Sequence, residues 1–266
     1  MRNFKVFTAI FAAVYLLSCA KVPITGRHQA NLMPESELIG MSDVQYDSFL
    51  SSSTVANPVS NDAQTVKRVG QRIQKAVEQY LSNNALSDRV EGFNWAFNLI
   101  NDPTVNAWCM PGGKVVFYSG ILPVCNGEPG IAVVMGHEVA HAIARHGNER
   151  MSQAIVAQLG IGILSEAMQT NPSLTKDIFM QSIGIGTSLG MLSFSRKHES
   201  EADHMGLIFM AMAGFDPREA PIFWERMSAA GGGQEPPEFL STHPSHNTRV
   251  EDLNKNMDEA LKYYKP

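Results

Sequence analysis

The sequence predicts a mostly α-helical α+β domain with one small antiparallel sheet. Apolar residues recur near a 3.6-residue period early in the chain and again from Pro129 almost to its end, which indicates helices with a buried face. Between these two regions, period-two alternation and Gly/Pro turn signals indicate three short strands. The 266 residues are 44% hydrophobic and 18% charged, which provides enough apolar material for a single core.

Two helices are expected before the sheet and six after it. The helix over 61–83 has the clearest helical period. Residues 151–168 and 174–194 are apolar segments that contain several glycines, but polar residues interrupt both, so we expect packed helices and no membrane span. A Gly/Pro-rich stretch at 231–237 predicts a mobile loop. The other helices are expected over residues 36–50, 129–146, 197–213, 217–228 and 247–264.

The three predicted strands lie between residues 93 and 119. Apolar residues at 93, 95, 97 and 99 alternate with small or polar ones, so residues 93–100 are expected to form a strand with one buried face. Two further strands are expected over 106–110 and 114–119. The sequence Pro111-Gly112-Gly113 between them predicts a tight turn.

The charge balance argues against a nucleic-acid partner. The formal net charge is −5, with 21 Lys and Arg against 26 Asp and Glu. The basic residues are scattered, mostly beside acidic ones, and form no patch of the kind that binds phosphates. We therefore expect no nucleic acid among the partners.

The first 18 residues have the features of a bacterial lipoprotein signal peptide. Arg2 and Lys5 form a positive start, and an apolar stretch too short for a comfortable span ends in Leu16-Leu17-Ser18-Cys19. This ending resembles a lipobox, which implies cleavage before Cys19 and lipidation of that residue. A plain signal peptide that happens to contain a cysteine is the alternative. Because Ala20 follows the cysteine where some lipoproteins have Asp, known sorting rules imply the periplasmic face of the outer membrane.

Three regions follow from this interpretation. Residues 1–18 form the signal peptide, residues 19–34 form a lipid-anchored tether without clear periodicity, and residues 35–266 form one domain. Acyl chains on Cys19 would attach the protein to a membrane. Cys109 and Cys125 are expected either to pair in an oxidising compartment or to be small buried apolar residues.

The main candidates for metal-binding and catalytic residues lie in the motif His137-Glu138-Val139-Ala140-His141. On a helix, residues four apart share a face, so both imidazoles can point at one metal ion, and Glu138 at the edge of that face can reach a metal-bound water. The apolar residues that directly precede this motif indicate that its helix is buried. Buried imidazole and carboxylate groups cost free energy unless they are paired or bind a metal. The pattern therefore predicts a zinc-dependent hydrolase with Glu138 as its base.

A catalytic zinc site needs a third protein ligand and one open position. One class of proteases supplies a histidine six residues after His141, but position 147 is Gly, which excludes that class. The other common third ligand is a glutamate on a later helix. The candidates lie in the acidic segment His198-Glu199-Ser200-Glu201-Ala202-Asp203.

Spacing selects among these candidates. Glu199 and Asp203 are four apart and share a helix face with Ala202 and Gly206, whose small size would let this helix lie close to the motif helix. Glu201 points roughly the opposite way. We therefore predict Glu199 as the third ligand. Asp203 is predicted to accept the free ring N–H of a liganded histidine and so fix its tautomer.

Four separate motifs together resemble peptidase family M48. They occur in the family's order over residues 95–255, and the family includes the HtpX-like, CAAX prenyl and mitochondrial overlapping-activity proteases. With no clear transmembrane helix and no C-terminal helical repeat, the chain looks most like the short bacterial lipoprotein branch. The motifs are His137–His141, the Glu-x-x-Ala-Asp segment at 199–203, Val105-Asn106-Ala107-Trp108 followed by Pro111-Gly112-Gly113, and the ending from Ser241 to Arg249.

The resemblance implies a gluzincin, which is a zincin-like metalloprotease fold built around an active-site helix, with one zinc ion per chain. It also implies that His243 and Arg249 lie near the zinc, where they would stabilise the transition state or, in the case of His243, occlude the site. The zinc-site residues that it implies are His137, His141 and Glu199 as ligands, Glu138 as base and Asp203 as the orienting residue.

These features predict a zinc metalloendopeptidase that acts on unfolded or misassembled cell-envelope proteins. The substrate is expected to add an extended strand along Asn106, Ala107 and Trp108. Two other interpretations remain open. One is a chaperone-like or adaptor lipoprotein with a latent zinc site. The other is a structural lipoprotein in which four protein ligands close the zinc site, with His243 or His246 as the fourth. The pattern does not specify an oligomeric state.

Overall fold

A computed structural model of the chain describes residues 19–159, 172–183, 194–230, 238–244 and 248–265. Within them it confirms the mostly helical α+β prediction. The predicted signal peptide, the 231–237 loop and parts of the two glycine-containing apolar segments lie outside the described residues. The strands are β1 (Cys19–Lys21), β2 (His28–Ala30), β3 (Ala96–Ile100), β4 (Ala107–Met110) and β5 (Lys114–Tyr118). The helices are α1 (Glu35–Ser52), α2 (Asn61–Asn83), α3 (Leu122–Cys125), α4 (Glu128–Ile143), α5 (His146–Leu159), α6 (Pro172–Ser182), α7 (Arg196–Met212), α8 (Glu219–Ala230), α9 (Glu238–Thr242) and α10 (Arg249–Leu261).

The motif helix ends earlier than the sequence predicts. The expected helix over 129–146 is broken after α4, because Arg145 has a positive φ of 57°. A residue in this left-handed conformation commonly terminates a helix. A second helix, α5, then begins at His146. His146 is therefore the first residue of a new helix and lies outside the α4 helix.

β5 is the central strand of the three-stranded sheet, whose order is β3-β5-β4. β4 and β5 are antiparallel and are joined by the predicted turn, in which Gly112 and Gly113 have positive φ values of 85° and 77°. β3 and β5 run parallel, with Ala96 opposite Lys114. The sheet is therefore mixed, and the antiparallel arrangement expected from the sequence does not hold for this pair. β3 and β4 follow one another in sequence but are not adjacent in the sheet. β5 lies between them, and there it runs parallel to β3.

Residues 20–34, which make up nearly all of the segment predicted as a tether (19–34), pack against the domain. β1 and β2 form an antiparallel pair. Val22 and Met33 are buried. The Asn148 side chain on α5 donates from Nδ2 to the Met33 carbonyl at 2.9 Å. This segment is thus bonded to the helix that follows the motif.

α4 is the central helix of the fold, and every residue from Gly130 to Ile143 is buried. It packs against α2, α7, α8 and β4. Its backbone meets that of α7 at Gly136 and Gly206, where a Cβ atom on Gly136 would lie 2.9 Å from the Gly206 carbonyl oxygen. The predicted close approach of the two helices at small residues is therefore confirmed. None of the described helices is long and apolar enough to span a bilayer.

We expect Gly136→Ala to lower the free energy of unfolding by about 1–3 kcal/mol, because the added methyl would meet backbone atoms that cannot rotate away. Chemical denaturation of the metal-free protein measures this change. Gly40→Ala is the matched control, because Gly40 lies on α1 with no described atom within 4 Å of an added Cβ. That substitution is expected to be neutral or to stabilise α1 by up to about 1 kcal/mol. Equal effects of the two substitutions would contradict the close α4–α7 contact.

Candidate metal centre

The predicted ligands are brought together by α4 and α7. His137, Glu138 and His141 lie on α4, and Glu199 lies in the first turn of α7. Each of these four side chains is at most 4% exposed. Ser195 caps α7, where its Oγ accepts a backbone N–H of the first turn at 3.2 Å. This cap defines where α7 begins and therefore where Glu199 meets α4.

His137, His141, Glu199 and His243 each offer one nitrogen or oxygen atom to a cluster in which these four atoms lie within 4.8 Å of one another. Nε2 of His137 is 3.1 Å from Nε2 of His141 and 3.1 Å from Nδ1 of His243. The Glu199 carboxylate is 3.4 Å from Nε2 of His141, 3.5 Å from Nε2 of His137 and 3.1 Å from Nδ1 of His243. Four donors bound tetrahedrally at about 2.0–2.1 Å from one zinc ion lie about 3.4 Å apart. The spacing of these atoms therefore fits a single tetrahedral metal ion.

Hydrogen bonding shows which ring nitrogen of His137 faces this cluster. Oδ1 of Asp203 is 2.9 Å from Nδ1 of His137, so Nδ1 carries the proton and Nε2 presents a lone pair. That lone pair converges with nitrogen atoms of His141 and His243 and with the Glu199 carboxylate. Such electron-rich atoms repel one another at this distance unless a proton or a metal cation lies between them. Imidazole nitrogens with a carboxylate oxygen are a donor set that zinc prefers.

Arg249, expected near the metal from the resemblance, binds the carboxylates behind the ligands. Its Nη2 donates to Oδ1 of Asp203 at 2.8 Å, and its Nε is 2.8 Å from Oδ2. Nη2 is also 3.2 Å from Oε2 of Glu199. The guanidinium carbon lies 3.2 Å from the centroid of the Trp224 ring. Arg249 adds one positive charge to a cluster that contains the buried carboxylates of Asp203, Glu199 and Glu138. A divalent cation would therefore bring the total charge of the cluster closer to zero.

His243 occupies the fourth corner of the cluster. Its ring is stacked between Phe239, at 4.7 Å and 23°, and Phe194, at 5.1 Å and 27°. Nδ1 faces the other donors, whereas Nε2 is 3.5 Å from Oε1 of Glu138. The stacked rings hold the imidazole where an open catalytic zinc site has water. His246 lies outside the described residues.

The surroundings give these groups different basicities. Burial raises the pKa of Glu138 and lowers the pKa of His141 well below its usual value. Burial also opposes ionisation of Glu199, but His243, His141 and His137 outweigh it and hold the pKa of Glu199 well below its usual value. Burial alone would lower the pKa of His243, but the charges of Glu138 and Glu199 raise it. Glu138 is therefore a stronger base than an ordinary carboxylate, whereas Glu199 stays ionised.

The predicted substrate strand lies beside Glu138. β4 is an edge strand of the sheet. The Asn106 side chain donates to Glu238 at 3.2 Å, Ala107 is in the core, and Nε1 of Trp108 donates to the Tyr118 hydroxyl at 3.2 Å. These three side chains therefore contact the protein itself, and a substrate along this strand would pair with its backbone. A cleft beside the strand is lined by Cys109, Pro111, Glu138, His141, Arg145 and Phe194, among others.

A second buried network, not expected from the sequence, lies behind His141. Nδ1 of His141 is 2.9 Å from Nδ1 of His146, and Nε2 of His146 is 3.0 Å from Oε2 of Glu201. Arg27 donates from Nε to Oε2 of Glu201 at 2.7 Å. It also donates from both Nη atoms to the two carboxylate oxygens of Glu149, at 2.8 and 2.7 Å. The imidazole, carboxylate and guanidinium groups thus form one connected set.

The spacing of these residues in the sequence did not predict this network. In a continuous helix His146 would lie about 140° around the axis from His141, but the helix break at Arg145 returns it to the same side. Glu201 does point away from the metal cluster, as predicted, yet it is buried against His146 rather than exposed. Arg27 and Glu201 are far apart in the sequence, so no local pattern predicted that they would pair. The clue available in the sequence was a further histidine shortly after the motif.

Cys109 and Cys125 are both free and buried, so the two do not pair in this structure. Burial raises the pKa of both thiols. Of the two interpretations left open by the sequence, the structure agrees with small buried apolar residues.

Residues 67–257 match the model of Peptidase family M48. The chain belongs to this family. The match spans α4, α7, His243 and Arg249, and it confirms the resemblance that the motifs indicated.

Relatives with assigned names support this family membership. Mitochondrial metalloendopeptidase OMA1 of Schizosaccharomyces pombe is 36% identical over 189 residues, which cover 71% of this chain and 53% of that protein. The Homo sapiens OMA1 is 29% identical over 263 residues, or 96% of this chain and 49% of that protein. The beta-barrel assembly-enhancing protease of Escherichia coli is 32% identical over 168 residues, or 61% of this chain and 34% of that protein. The chain thus spans about half the length of the two OMA1 relatives and about a third of the E. coli protease.

We expect Glu149→Gln to flatten the acid side of the pH–stability profile. Burial acts to raise the pKa of Glu149, but hydrogen bonds from His198 and Arg27 hold it at about 2, against a usual 4.5. Because the folded-state pKa is depressed, the ionised carboxylate stabilises the fold above pH 4.5, and this stabilisation is lost as the pH falls towards 2.

The free energy of unfolding of the metal-free protein, measured from about pH 7 to about pH 2.5, checks this prediction. Glu225→Gln, which removes an exposed carboxylate on α8, controls for the loss of one negative charge. Parallel loss of stability in wild type and Glu149→Gln would show that Glu149 does not form the ionised pair.

Proposed function

We propose that this member of Peptidase family M48 is a zinc-dependent metalloendopeptidase. The observation that carries the proposal is the convergence of three imidazole nitrogens and the Glu199 carboxylate within 4.8 Å, with the basic carboxylate of Glu138 next to them. His137, His141 and Glu199 would hold one zinc ion, and Asp203 would fix the tautomer of His137. Zinc, when bound, supplies Lewis acidity towards a water molecule and the scissile carbonyl.

Glu138 is assigned the role of general base. Its Oε1 has no hydrogen-bond partner among the described residues, and its burial favours proton uptake. In this role Glu138 takes a proton from the attacking water and then passes that proton to the leaving amine. A neutral amide at this position would keep the shape of the site but could not accept the proton.

His243 is assigned a role beside the reacting carbonyl, and Arg249 a role behind the proposed zinc ligands. An N–H group of His243 could donate to a developing oxyanion, whereas the charge of Arg249 would act on that oxyanion from behind the ligands. Arg249 is held by Asp203 and Glu199, so its contribution would be fixed in place. His243 occupies the corner that a catalytic site leaves open to water, so we propose that it leaves this corner when a substrate binds.

The proposed substrate is an extended segment of an unfolded or misassembled envelope protein. It would pair with the backbone edge of β4 along Asn106, Ala107 and Trp108. Such pairing selects substrates by their extended main-chain conformation more than by their sequence. Lipidation at Cys19 would place the protein at the periplasmic face of the outer membrane. The name of the E. coli relative, a beta-barrel assembly-enhancing protease, agrees with an envelope role.

The placement of His243 favours a second candidate function. A zinc site closed by four protein ligands is typical of structural zinc. With His243 as a permanent fourth ligand, the chain would be a zinc-containing chaperone-like, adaptor or structural lipoprotein. Binding of unfolded proteins would then continue without cleavage.

We expect Glu138→Gln to abolish most cleavage of casein while it retains about one zinc per chain. Loss of a general base typically lowers the rate by about 10²–10⁴-fold. The measurement is zinc content with casein cleavage for wild type and Glu138→Gln, both without the lipid. Glu225→Gln again serves as the control, because it removes an exposed carboxylate and should cleave like wild type. Zinc in both proteins with equal cleavage would refute the base role, and absence of zinc from wild type would refute the metal centre.

We expect His243→Ala to raise casein cleavage severalfold and to weaken zinc binding, because the substitution opens the fourth corner and removes one donor. Cleavage rates at saturating zinc and zinc affinity by chelator competition measure the two effects. Lower cleavage at full zinc occupancy would instead assign His243 to transition-state stabilisation. No cleavage in either wild type or His243→Ala, with zinc bound, would favour the structural or adaptor function.

A further inference from the structure

We propose that Arg27 is a positioning residue for the metal centre, which acts on His141 through Glu201 and His146. This inference rests on the proposed zinc site. It assigns a role in metal binding to the N-terminal segment, whose sequence indicated only a tether.

The orientation of His141 requires a partner for its outer nitrogen. Nε2 of His141 faces the other ligands, so Nδ1 carries the ring proton and needs an acceptor. That acceptor is Nδ1 of His146, at 2.9 Å. His146 must then be neutral with its proton on Nε2, which donates to Oε2 of Glu201 at 3.0 Å. Glu201 therefore fixes the tautomer of His146, and His146 in turn fixes the tautomer and ring direction of His141.

Arg27 holds Glu201 in the place that this relay requires. Its Nε donates to the Glu201 oxygen that binds His146, at 2.7 Å. The hydroxyl of Thr25, two residues earlier, also donates to Glu201. Both groups come from the loop between β1 and β2. The side chains of Arg27 and Glu201 are only 12% and 5% exposed, so water cannot readily replace these bonds.

The same guanidinium stabilises the other side of the His146 ring. Arg27 binds Glu149 through both Nη atoms. Glu149 is 3.2 Å from Nε2 of His198, and the His198 ring stacks on His146 at 4.4 Å and 26°. Loss of Arg27 would leave Glu149 and Glu201 as nearby buried carboxylates without their shared cation, which is strongly unfavourable. The two carboxylates would move apart, and His146 would lose both supports.

The two α4 ligands are thus oriented by similar means. Asp203, held by Arg249, binds Nδ1 of His137 directly. Glu201, held by Arg27, reaches Nδ1 of His141 through one additional imidazole. An ion pair that served only to attach the N-terminal segment to the domain would not need a hydrogen-bonded connection to a proposed metal ligand.

Zinc affinity by chelator competition, measured on the full chain, tests the proposal. We expect Arg27→Gln to weaken zinc binding by about 10-fold, the lower end of the range for removing a direct partner of a metal ligand, because Arg27 acts through two intervening side chains. The visible absorption spectrum of the cobalt-substituted protein is expected to change, because it reports ligand geometry. Arg68→Gln is the matched control. Arg68 also pairs with a carboxylate, Glu128, but its side chain is 50% exposed and lies on α2 away from the centre.

A second pair of variants separates positioning from folding. His146→Leu removes both the acceptor and the donor of the relay, whereas His146→Gln has an amide that supplies one of each. We expect zinc affinity to fall in His146→Leu and to be partly retained in His146→Gln. This comparison decides the proposal even if Arg27→Gln does not fold, as judged by circular dichroism.

Two results would overturn the proposal. Arg27→Gln could melt at a lower temperature than Arg68→Gln while zinc affinity and the cobalt spectrum stay at wild-type values, which would make Arg27 a structural ion pair only. Equal zinc affinity in His146→Leu and His146→Gln would likewise exclude the relay. If wild type itself bound no zinc, the proposed function would fail first and this inference with it, and the wild-type measurement alone would reveal that case.

Discussion

Helices α4 and α7 meet backbone to backbone at Gly136 and Gly206, where a Cβ atom would lie 2.9 Å from the facing carbonyl oxygen. At this separation a short glutamate side chain on α7 reaches the imidazoles of α4. Two methyl groups at the crossing would push the helices apart and move Glu199 out of range of His137 and His141. The proposed ligand set therefore depends on the contact between Gly136 and Gly206, two residues that are not themselves proposed ligands.

This close packing buries charged groups, which is unfavourable unless each finds a partner. Glu199 and Asp203 are compensated by Arg249 and by the facing imidazoles. Glu149 and Glu201 are compensated by Arg27. The proposed metal-binding face itself has electron-rich atoms 3.1–3.5 Å apart. Binding of a divalent cation there would relieve this repulsion, so metal binding and folding are expected to be coupled.

The parts of the site that sequence could predict are those defined by short-range helical periodicity. His137 and His141 are four apart, as are Glu199 and Asp203, and each pair shares a face of a single helix. The small residues at the crossing could be recognised from the same period. His243 and Arg249 entered only through family resemblance, since no spacing rule connects them to α4.

The parts that escaped prediction depend on chain direction and long-range contact. One residue in a left-handed conformation, Arg145, turns His146 back towards His141. The parallel pairing of β3 and β5 depends on where the β4–β5 hairpin folds back, which the strand pattern does not encode. Arg27 meets Glu201 across 174 positions of sequence, so no local period relates them.

Through these long-range contacts, Arg27 and Arg249, which are far apart in the sequence, both support the site. α4 and α7 contribute the ligands, but the cations that stabilise the carboxylates behind them are Arg27, from the loop between β1 and β2, and Arg249, from the start of α10. Each guanidinium forms three charge-assisted hydrogen bonds or ion-pair contacts with buried oxygens. Such contacts are lost together when one partner moves. A fragment that contained only the two ligand helices would keep the metal-binding atoms of His137, His141 and Glu199. It would nevertheless lack the arginines that pair with Asp203, Glu199 and Glu201 and the elements that bury these carboxylates, so the geometry of the centre is a property of the whole domain.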